Sequence, residues 1–160
     1  MPSESMQEFE GALEPIGTVI IVVSRYHERL TRRLLLGALE GCAAAGIAQE
    51  AVEVWWVDGA FELGVTAAAA ARRGPCAAVV ALGIVIRGET PHFDFVAGET
   101  SAALSRVALD TQVPVGFGLL TCDTMEQAAA RCGGEAGNKG REAADAAIRT
   151  ASLLRRVGQR

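Results

Sequence analysis

The feature that most constrains the fold of this chain is an unbroken apolar run at residues 79–86, Val-Val-Ala-Leu-Gly-Ile-Val-Ile. A strand with one solvent-exposed face alternates apolar and polar residues, and this run shows no such alternation. We therefore expect a strand that is covered on both faces. Strands of that kind belong to parallel sheets with helices on both sides, so the run predicts an α/β fold.

Strand and helix signals alternate along the rest of the chain. Apolar runs rich in β-branched residues predict strands at residues 16–24, 51–57, 77–86 and 113–121. Apolar residues spaced three and four apart predict helices at residues 28–45, 61–73, 91–109, 125–132 and 139–157. Residues 133–140 form a glycine-rich loop. This alternation predicts a four-stranded parallel sheet between two helical layers, with right-handed crossovers.

The chain of 160 residues fits a single domain, which we place at residues 16–160. Residues 1–15 are predicted to form a flexible N-terminal arm, which could add a strand to or from the sheet of a neighbouring subunit. A net charge of −4 with no basic stripe argues against a nucleic acid partner. The polar, acidic start does not resemble a signal peptide, and the apolar runs are too short to span a membrane. We expect a soluble, cytoplasmic protein.

Metal and nucleotide motifs are not found in the sequence. Its four cysteines lack C-x-x-C spacing and it has only two histidines, so there is no recognisable zinc set and reduced thiols are expected. Cys42 and Cys76 are predicted to be small core residues, whereas Cys122 ends a strand but has no histidine near it in sequence. Neither a phosphate-binding G-x-x-x-x-G-K-[ST] loop, nor G-x-G-x-x-G, nor a G-x-S-x-G elbow occurs.

The turn after the apolar run has the residues of a reaction site. Gly88 permits a sharp turn, Thr90 can cap the following helix, and Pro91 suits its first turn. The free N–H groups of a helix start attract phosphate, and His92 lies within one turn of them. An imidazole can act as a general acid or base near neutral pH, although a histidine near a helix start can also be purely structural.

Further candidate residues come directly after the other predicted strands. In open parallel sheets, ligands bind beyond the C-terminal ends of the strands. Tyr26 and Phe61 could hold a flat ring or could be ordinary packing residues, and Glu62 could bind a ligand or only favour the helix dipole. Arg131 and Lys139 flank the glycine loop, where they could neutralise a phosphate or be solvated.

Four segments of the sequence carry a resemblance to a known family. They are residues 83–96, residues 59–63 (Gly-Ala-Phe-Glu-Leu), residues 114–121 (Pro-Val-Gly-Phe-Gly-Leu-Leu-Thr) and residues 126–140. With them the chain, from residue 16 to about residue 154, resembles 6,7-dimethyl-8-ribityllumazine synthases, the penultimate enzymes of riboflavin biosynthesis. The resemblance implies a three-layer, flavodoxin-like α/β sandwich. It also implies a transferase that condenses 5-amino-6-(D-ribitylamino)uracil with 3,4-dihydroxy-2-butanone 4-phosphate, giving the lumazine, phosphate and water without a metal or an organic cofactor.

The resemblance assigns roles to matching residues. His92 would transfer protons, with Arg131 and Lys139 also catalytic, and Arg131 together with the turn Gly88-Glu89-Thr90 would hold the phosphate. The residues implied to bind substrate are Tyr26, Gly59, Ala60, Phe61, Glu62, Val85, Ile86, Gly88, Glu89, Thr90, Phe117 and Arg131.

Two positions depart from many relatives. Tyr26-His27 stands where those relatives have Phe-Asn, and Glu89 replaces a neutral residue. At the first we expect altered affinity more than lost activity, since a tyrosine still offers a π-face. At the second we expect the Glu89 carboxylate to point away from the phosphate.

The resemblance further implies a homopentamer with its sites between subunits, where Phe117, Arg131 and Lys139 come from the neighbour. The short turn at residues 137–140 is similar to that of members that assemble into an icosahedral shell of 60 subunits, with riboflavin synthase as a cargo or pathway partner. Two rival functions remain open: an archaeal-type riboflavin synthase, which the His92 motif and Arg131 disfavour, and a catalytically silent cage or flavin-binding protein.

Overall fold

The computed structural model describes residues 6–158 and has a four-stranded parallel sheet at its centre. The strands are β1 (Val19–Ser24), β2 (Val52–Val57), β3 (Ala78–Ile86) and β4 (Val115–Cys122), in the order β2-β1-β3-β4. All three strand pairs are parallel. The apolar run is β3, which lies inside the sheet and is buried at all residues but its last. The predicted α/β fold with a parallel sheet is confirmed.

Within residues 6–158, five α-helices cover the two faces of the sheet. They are α1 (Glu28–Ala44), α2 (Leu63–Arg72), α3 (His92–Thr111), α4 (Met125–Ala130) and α5 (Lys139–Gly158). In β1 the side chains alternate between two cores, since Ile21 packs in the core with α1 and α5, and Ile20 packs in the core with α2 and α3. Helical layers on both sides therefore explain why β1 and β3 lack polar alternation.

The elements start and end close to their predicted bounds, with three differences. Strand β1 begins at Val19 and not at residue 16, since Gly17 with φ of 112° interrupts the extended backbone before it. A short 3-10 turn, Ala60–Glu62, precedes α2. A small antiparallel hairpin of β5 (Cys132–Gly134) and β6 (Gly137–Asn138) lies at the predicted glycine-rich loop, and it begins at Cys132, which was predicted to end the helix that stops at Ala130. Strands this short have no detectable periodicity in sequence.

Asn138 connects this hairpin to both neighbouring helices. Its amide nitrogen donates to the carbonyl oxygen of Arg33 in α1 at 3.0 Å. Its amide oxygen accepts from the N–H groups of Gly140 and Arg141 at 2.9 and 3.2 Å, which satisfies two of the four free donors at the start of α5. Lys139, the first residue of α5, is thus held at a fixed place beside α1.

Residues 6–15 have no helix or strand, and residues 10–15 pack along the C-terminal half of α5. The N–H of Ala12 donates to Ser152 Oγ at 3.0 Å, and Ser152 Oγ donates to a carboxylate oxygen of Glu14 at 2.5 Å. Arg156 donates to the carbonyl of Glu10 at 3.1 Å. The first five residues of the predicted arm lie outside the described residues, and both its flexibility and its pairing with a neighbour stay predictions. None of the described helices is long and apolar enough to cross a lipid bilayer.

Candidate active site

A pocket of about 840 Å³ lies at the C-terminal ends of β1 and β3. In open parallel sheets, ligands bind beyond the C-terminal ends of the strands. It gathers residues that follow three different strands. The predicted site residues that line it are Tyr26, Gly59, Ala60, Phe61, Glu62, Val85, Ile86, Gly88, Thr90 and His92. The register of the sheet explains this convergence, because β3 and β1 are hydrogen-bonded neighbours and β2 pairs with β1.

The turn from β3 to α3 forms one wall of the pocket. Helix α3 begins at His92, and the exposed imidazole lies at its first position. Pro91 and not Thr90 takes the cap position, where its carbonyl accepts from the N–H of Asp94 at 3.0 Å. Thr90 Oγ1 accepts from the His92 N–H at 3.4 Å, so the hydroxyl still supports the helix start.

Gly88 lies in this wall, and neither its backbone conformation nor a contact within the chain requires glycine there. Its φ is not positive, and a Cβ added there would have no protein atom within 4 Å. Glycine at such a position allows a ligand to approach the backbone closely. The geometry of the turn therefore suits an anion held by main-chain N–H groups.

Exposed aromatic rings form another wall of the pocket. Tyr26, Phe61 and Phe95 are 66%, 63% and 68% exposed, although large aromatic side chains are usually buried. Exposed rings that converge on a concave surface are typical of a site for a flat ligand. The packing interpretation of Tyr26 and Phe61 does not fit this exposure within the single chain.

Glu62 lies at the end of the 3-10 turn and lines the same pocket. One carboxylate oxygen accepts from the N–H of Gly59 at 3.1 Å. No partner within residues 6–158 holds its second oxygen. The side chain is therefore fixed in place by its first oxygen, and the second can accept a hydrogen bond from a ligand hydroxyl or N–H group.

Arg87 is a pocket residue to which the sequence assigned no role of its own. Its Nε donates to Asp123 Oδ1 at 2.9 Å and its Nη1 to Asp94 Oδ1 at 3.4 Å. The guanidinium carbon lies 4.4 Å from the centroid of the Phe93 ring. The hydrogen bond to Asp123 raises the pKa of Arg87 above its ordinary value. Arg87 thus joins the end of β3 to the first turn of α3 and to the loop before α4.

Four predicted site residues do not line this pocket: Glu89, Phe117, Arg131 and Lys139. Phe117 is 53% exposed on the edge strand β4. Arg131 donates to the carbonyl of Gln127 at 2.9 Å, and its own carbonyl accepts from the N–H of Lys139 at 2.9 Å. Arg131 and Lys139 are therefore close neighbours, although eight positions separate them in sequence. Lys139 Nζ is paired with Glu142 at 2.8 Å.

The four cysteines are free thiols with little nucleophilic character. Burial raises the pKa of Cys42 and of Cys132 to about 11 in each case. Burial also raises the pKa of Cys122 at the end of β4, although nearby Arg131 lowers it in part. A thiol with a raised pKa is a poor nucleophile at neutral pH. Within residues 6–158 no group of three or more His, Cys, Asp or Glu side chains could hold a metal ion.

The pocket also contains residues that were not among the candidates: His27, Ile84, Phe93, Phe95 and Val96 besides Arg87. All of them directly adjoin predicted site residues in sequence or lie one helical turn beyond His92. Their signal was position at a strand end or in the first turn of α3, which does not distinguish side chains that face the pocket from those that face away.

One comparison with known protein families bears on this site. The model of the family described as 6,7-dimethyl-8-ribityllumazine synthase matches residues 17–155. The match includes all five helices except the last residues of α5, the whole sheet and every residue of the pocket.

Proposed function

This chain belongs to the 6,7-dimethyl-8-ribityllumazine synthase family, a family of transferases of riboflavin biosynthesis, and on that premise we propose its reaction and its site. The proposed reaction condenses 5-amino-6-(D-ribitylamino)uracil with 3,4-dihydroxy-2-butanone 4-phosphate. The products are the lumazine, inorganic phosphate and water. One observation carries the proposal. A turn that suits an anion, an exposed imidazole and exposed aromatic rings all line the same pocket.

Each part of the pocket suits one requirement of this reaction. The exposed rings of Tyr26 and Phe61 suit the pyrimidine, and the Glu62 carboxylate suits its N–H groups or the ribityl hydroxyls. The turn at Gly88 and Thr90 suits the phosphate of the four-carbon substrate. His92 lines the same pocket, so it can move protons as the amine attacks the ketone and phosphate departs.

Holding the two substrates together is the main catalytic contribution in this proposal. An amine and a ketone react without a strong catalyst, so a site gains most by converting their encounter into a reaction within one complex. This chemistry needs no metal or organic cofactor, and none is proposed.

The charge balance of the pocket supports a site that is completed by a second subunit. Arg87 is the one permanently charged cation among the described residues that line it, and Asp94 and Asp123 already pair with it. Glu62 adds a negative charge. A phosphate of nearly two charges therefore needs a cation from outside this pocket.

We propose that Arg131 of an adjacent subunit supplies this cation, with Phe117 and Lys139 of the same neighbour. The arrangement predicts a cyclic homo-oligomer, which we propose to be a pentamer, and an inactive monomer. Further assembly into an icosahedral shell, riboflavin synthase as its cargo or partner, and a cytoplasmic location all stay predictions.

The first test measures lumazine formation from both substrates, with parallel release of phosphate. We expect His92→Ala and Arg131→Ala each to lower the rate above background about tenfold or more. Arg106→Ala is the matched control, because Arg106 is an exposed cation of α3 outside the pocket. A folded parent with no rate above background would favour the silent cage or flavin-binding function, and riboflavin formed from lumazine alone would favour riboflavin synthase.

A second test addresses the shared site. Co-expressed His92→Ala and Arg131→Ala chains form rings in which some interfaces join an intact His92 to an intact Arg131. Random mixing restores activity at about a quarter of the interfaces if the two residues come from adjacent subunits. A site contained in one chain would show no recovery above the two single variants.

A further inference from the structure

His27 breaks two local preferences at the start of α1. Its φ of 61° and ψ of 43° place it in the left-handed region, which glycine and asparagine adopt most easily. It also occupies the N-cap of α1, where Ser, Thr, Asp and Asn are preferred because their side chains accept a backbone N–H. The His27 side chain makes no such bond. The cap therefore does not explain a histidine here, although histidine adopts the left-handed backbone more readily than most residues do.

The backbone around His27 is firmly held in this conformation. Its carbonyl accepts from the N–H groups of Leu30 and Thr31 at 2.9 and 3.0 Å. The N–H of Tyr26 donates to the carbonyl of Asp58 at 3.0 Å, which fixes the preceding residue to the end of β2. The imidazole thus projects from a rigid base, and strained residues over-determined in this way cluster at functional sites.

The imidazole packs against the ring of Tyr26. The two ring centroids are 4.7 Å apart and the planes meet at 76°, which is an edge-to-face contact. Within this chain Tyr26 is 66% exposed, so few other groups of the same chain restrict its rotation, whereas His27 is half-buried. Both residues line the 840 Å³ pocket.

The surroundings keep the imidazole neutral. Glu28, Arg29 and Arg33 of α1 face a second pocket of about 470 Å³ that His27 also lines, opposite Met125 and Ala129 of α4. Burial lowers the pKa of His27 below its ordinary value. A neutral imidazole can pack on a tyrosine ring without bringing a solvated charge into the contact.

We infer that His27 is a positioning residue that holds the Tyr26 ring in the orientation in which it stacks on the heteroaromatic substrate. The inference rests on the proposed function, because it deepens the role of Tyr26 in that site. His27 touches no reacting atom in this account and acts through Tyr26 alone. The strained backbone at His27 is then the cost of placing an aromatic ring beside Tyr26.

His27→Asn separates a positioning role from a structural one. A positioning role predicts that the variant binds the pyrimidine more weakly although it is more stable, whereas a structural role predicts that it is less stable. Asparagine suits both the left-handed backbone and the N-cap, so the urea midpoint of unfolding should rise. The contact with Tyr26 is lost, so KM for the pyrimidine should rise roughly three- to tenfold. KM for the ketone phosphate and kcat should change less than twofold, since the phosphate turn is untouched.

Two further variants complete the test. His27→Phe keeps a ring beside Tyr26, so KM for the pyrimidine should stay close to that of the parent. Phenylalanine does not relieve the strain of the left-handed backbone. In a Tyr26→Ala background, His27→Asn should have no further effect on that KM, because the group through which His27 acts is gone.

Binding of 6,7-dimethyl-8-ribityllumazine, followed by its fluorescence, gives a readout that does not depend on turnover. If the parent binds it without turnover, the proposed function fails, and weaker binding by His27→Asn would still support positioning. An unchanged KM and Kd in His27→Asn would overturn the inference alone. A parent that neither turns over nor binds the lumazine would overturn both.

Discussion

Ser24, the last residue of β1, has a fully buried hydroxyl that lacks a hydrogen-bond partner among the residues that the structure describes. Burying a hydroxyl without a partner costs free energy, and a methyl group at the same place does not. We expect Ser24→Ala to raise the free energy of unfolding by about 1 kcal/mol, measured by urea denaturation.

Thr31→Val is the contrasting variant at the same place. Thr31 Oγ1 donates to the carbonyl of Ser24 at 2.7 Å in a buried environment. Valine has nearly the same shape but leaves that carbonyl without this donor, so the free energy of unfolding should fall by about 1 kcal/mol. If Ser24→Ala is destabilising, the Ser24 hydroxyl has a role that its contacts within the chain do not show.

At the scale of elements, α1 and α5 approach so closely that glycine is required where they meet. A Cβ on Gly140 would clash with the backbone of Leu34 in α1. Backbone atoms cannot move aside as a flexible side chain can, so the two helices would have to separate. We expect Gly140→Ala to lower the free energy of unfolding by about 2 kcal/mol or more.

Gly98→Ala is the matched control within a helix. A Cβ on Gly98 of α3 would have no other atom within 4 Å in this chain. Alanine favours a helix over glycine by up to about 1 kcal/mol, so the variant should be neutral or stabilising. Equal loss of stability in both variants would mean that the close approach of α1 and α5 does not require glycine.

At the scale of the whole molecule, Glu14 fastens residues 10–15 to the end of α5. The hydrogen bond from Ser152, and then the bond from Arg156, lower the pKa of Glu14 below its ordinary value of 4.5. A lowered folded pKa means that the ionised form stabilises the folded contact. This contribution is present above pH 4.5 and is lost as the pH falls through the folded pKa.

We therefore expect acid to release residues 10–15 from α5. Hydrogen exchange of the Ala12 amide, which donates to Ser152 Oγ, measures this directly once intrinsic rates are corrected for pH. Protection of Ala12 should fall below pH 4.5 in the parent and should be low at pH 7 in Glu14→Gln. Glu8→Gln is the control and should behave as the parent does. Full protection of Ala12 in Glu14→Gln would show that the carboxylate does not fasten the segment.

Sequence by itself determined the layers of this protein and one wall of its pocket. Hydrophobic periodicity is a local signal, so an unbroken run such as residues 79–86 and the helical spacing in residues 139–157 could be recognised without coordinates. Gly88, Thr90 and His92 lie within five consecutive residues, and their neighbourhood follows from chain connectivity once a strand is known to end before them.

Only the tertiary structure decided which distant side chains meet. The pairs Arg87–Asp123, Asn138–Arg33 and Ser152–Glu14 are separated by 36, 105 and 138 positions. Their contacts depend on packing distances between elements, for which periodicity carries no information. The left-handed backbone of His27 was equally invisible, because even a residue type that is enriched in that conformation, as histidine is, adopts it only in a minority of cases. Sequence therefore specified the elements, whereas packing specified the partners of each side chain.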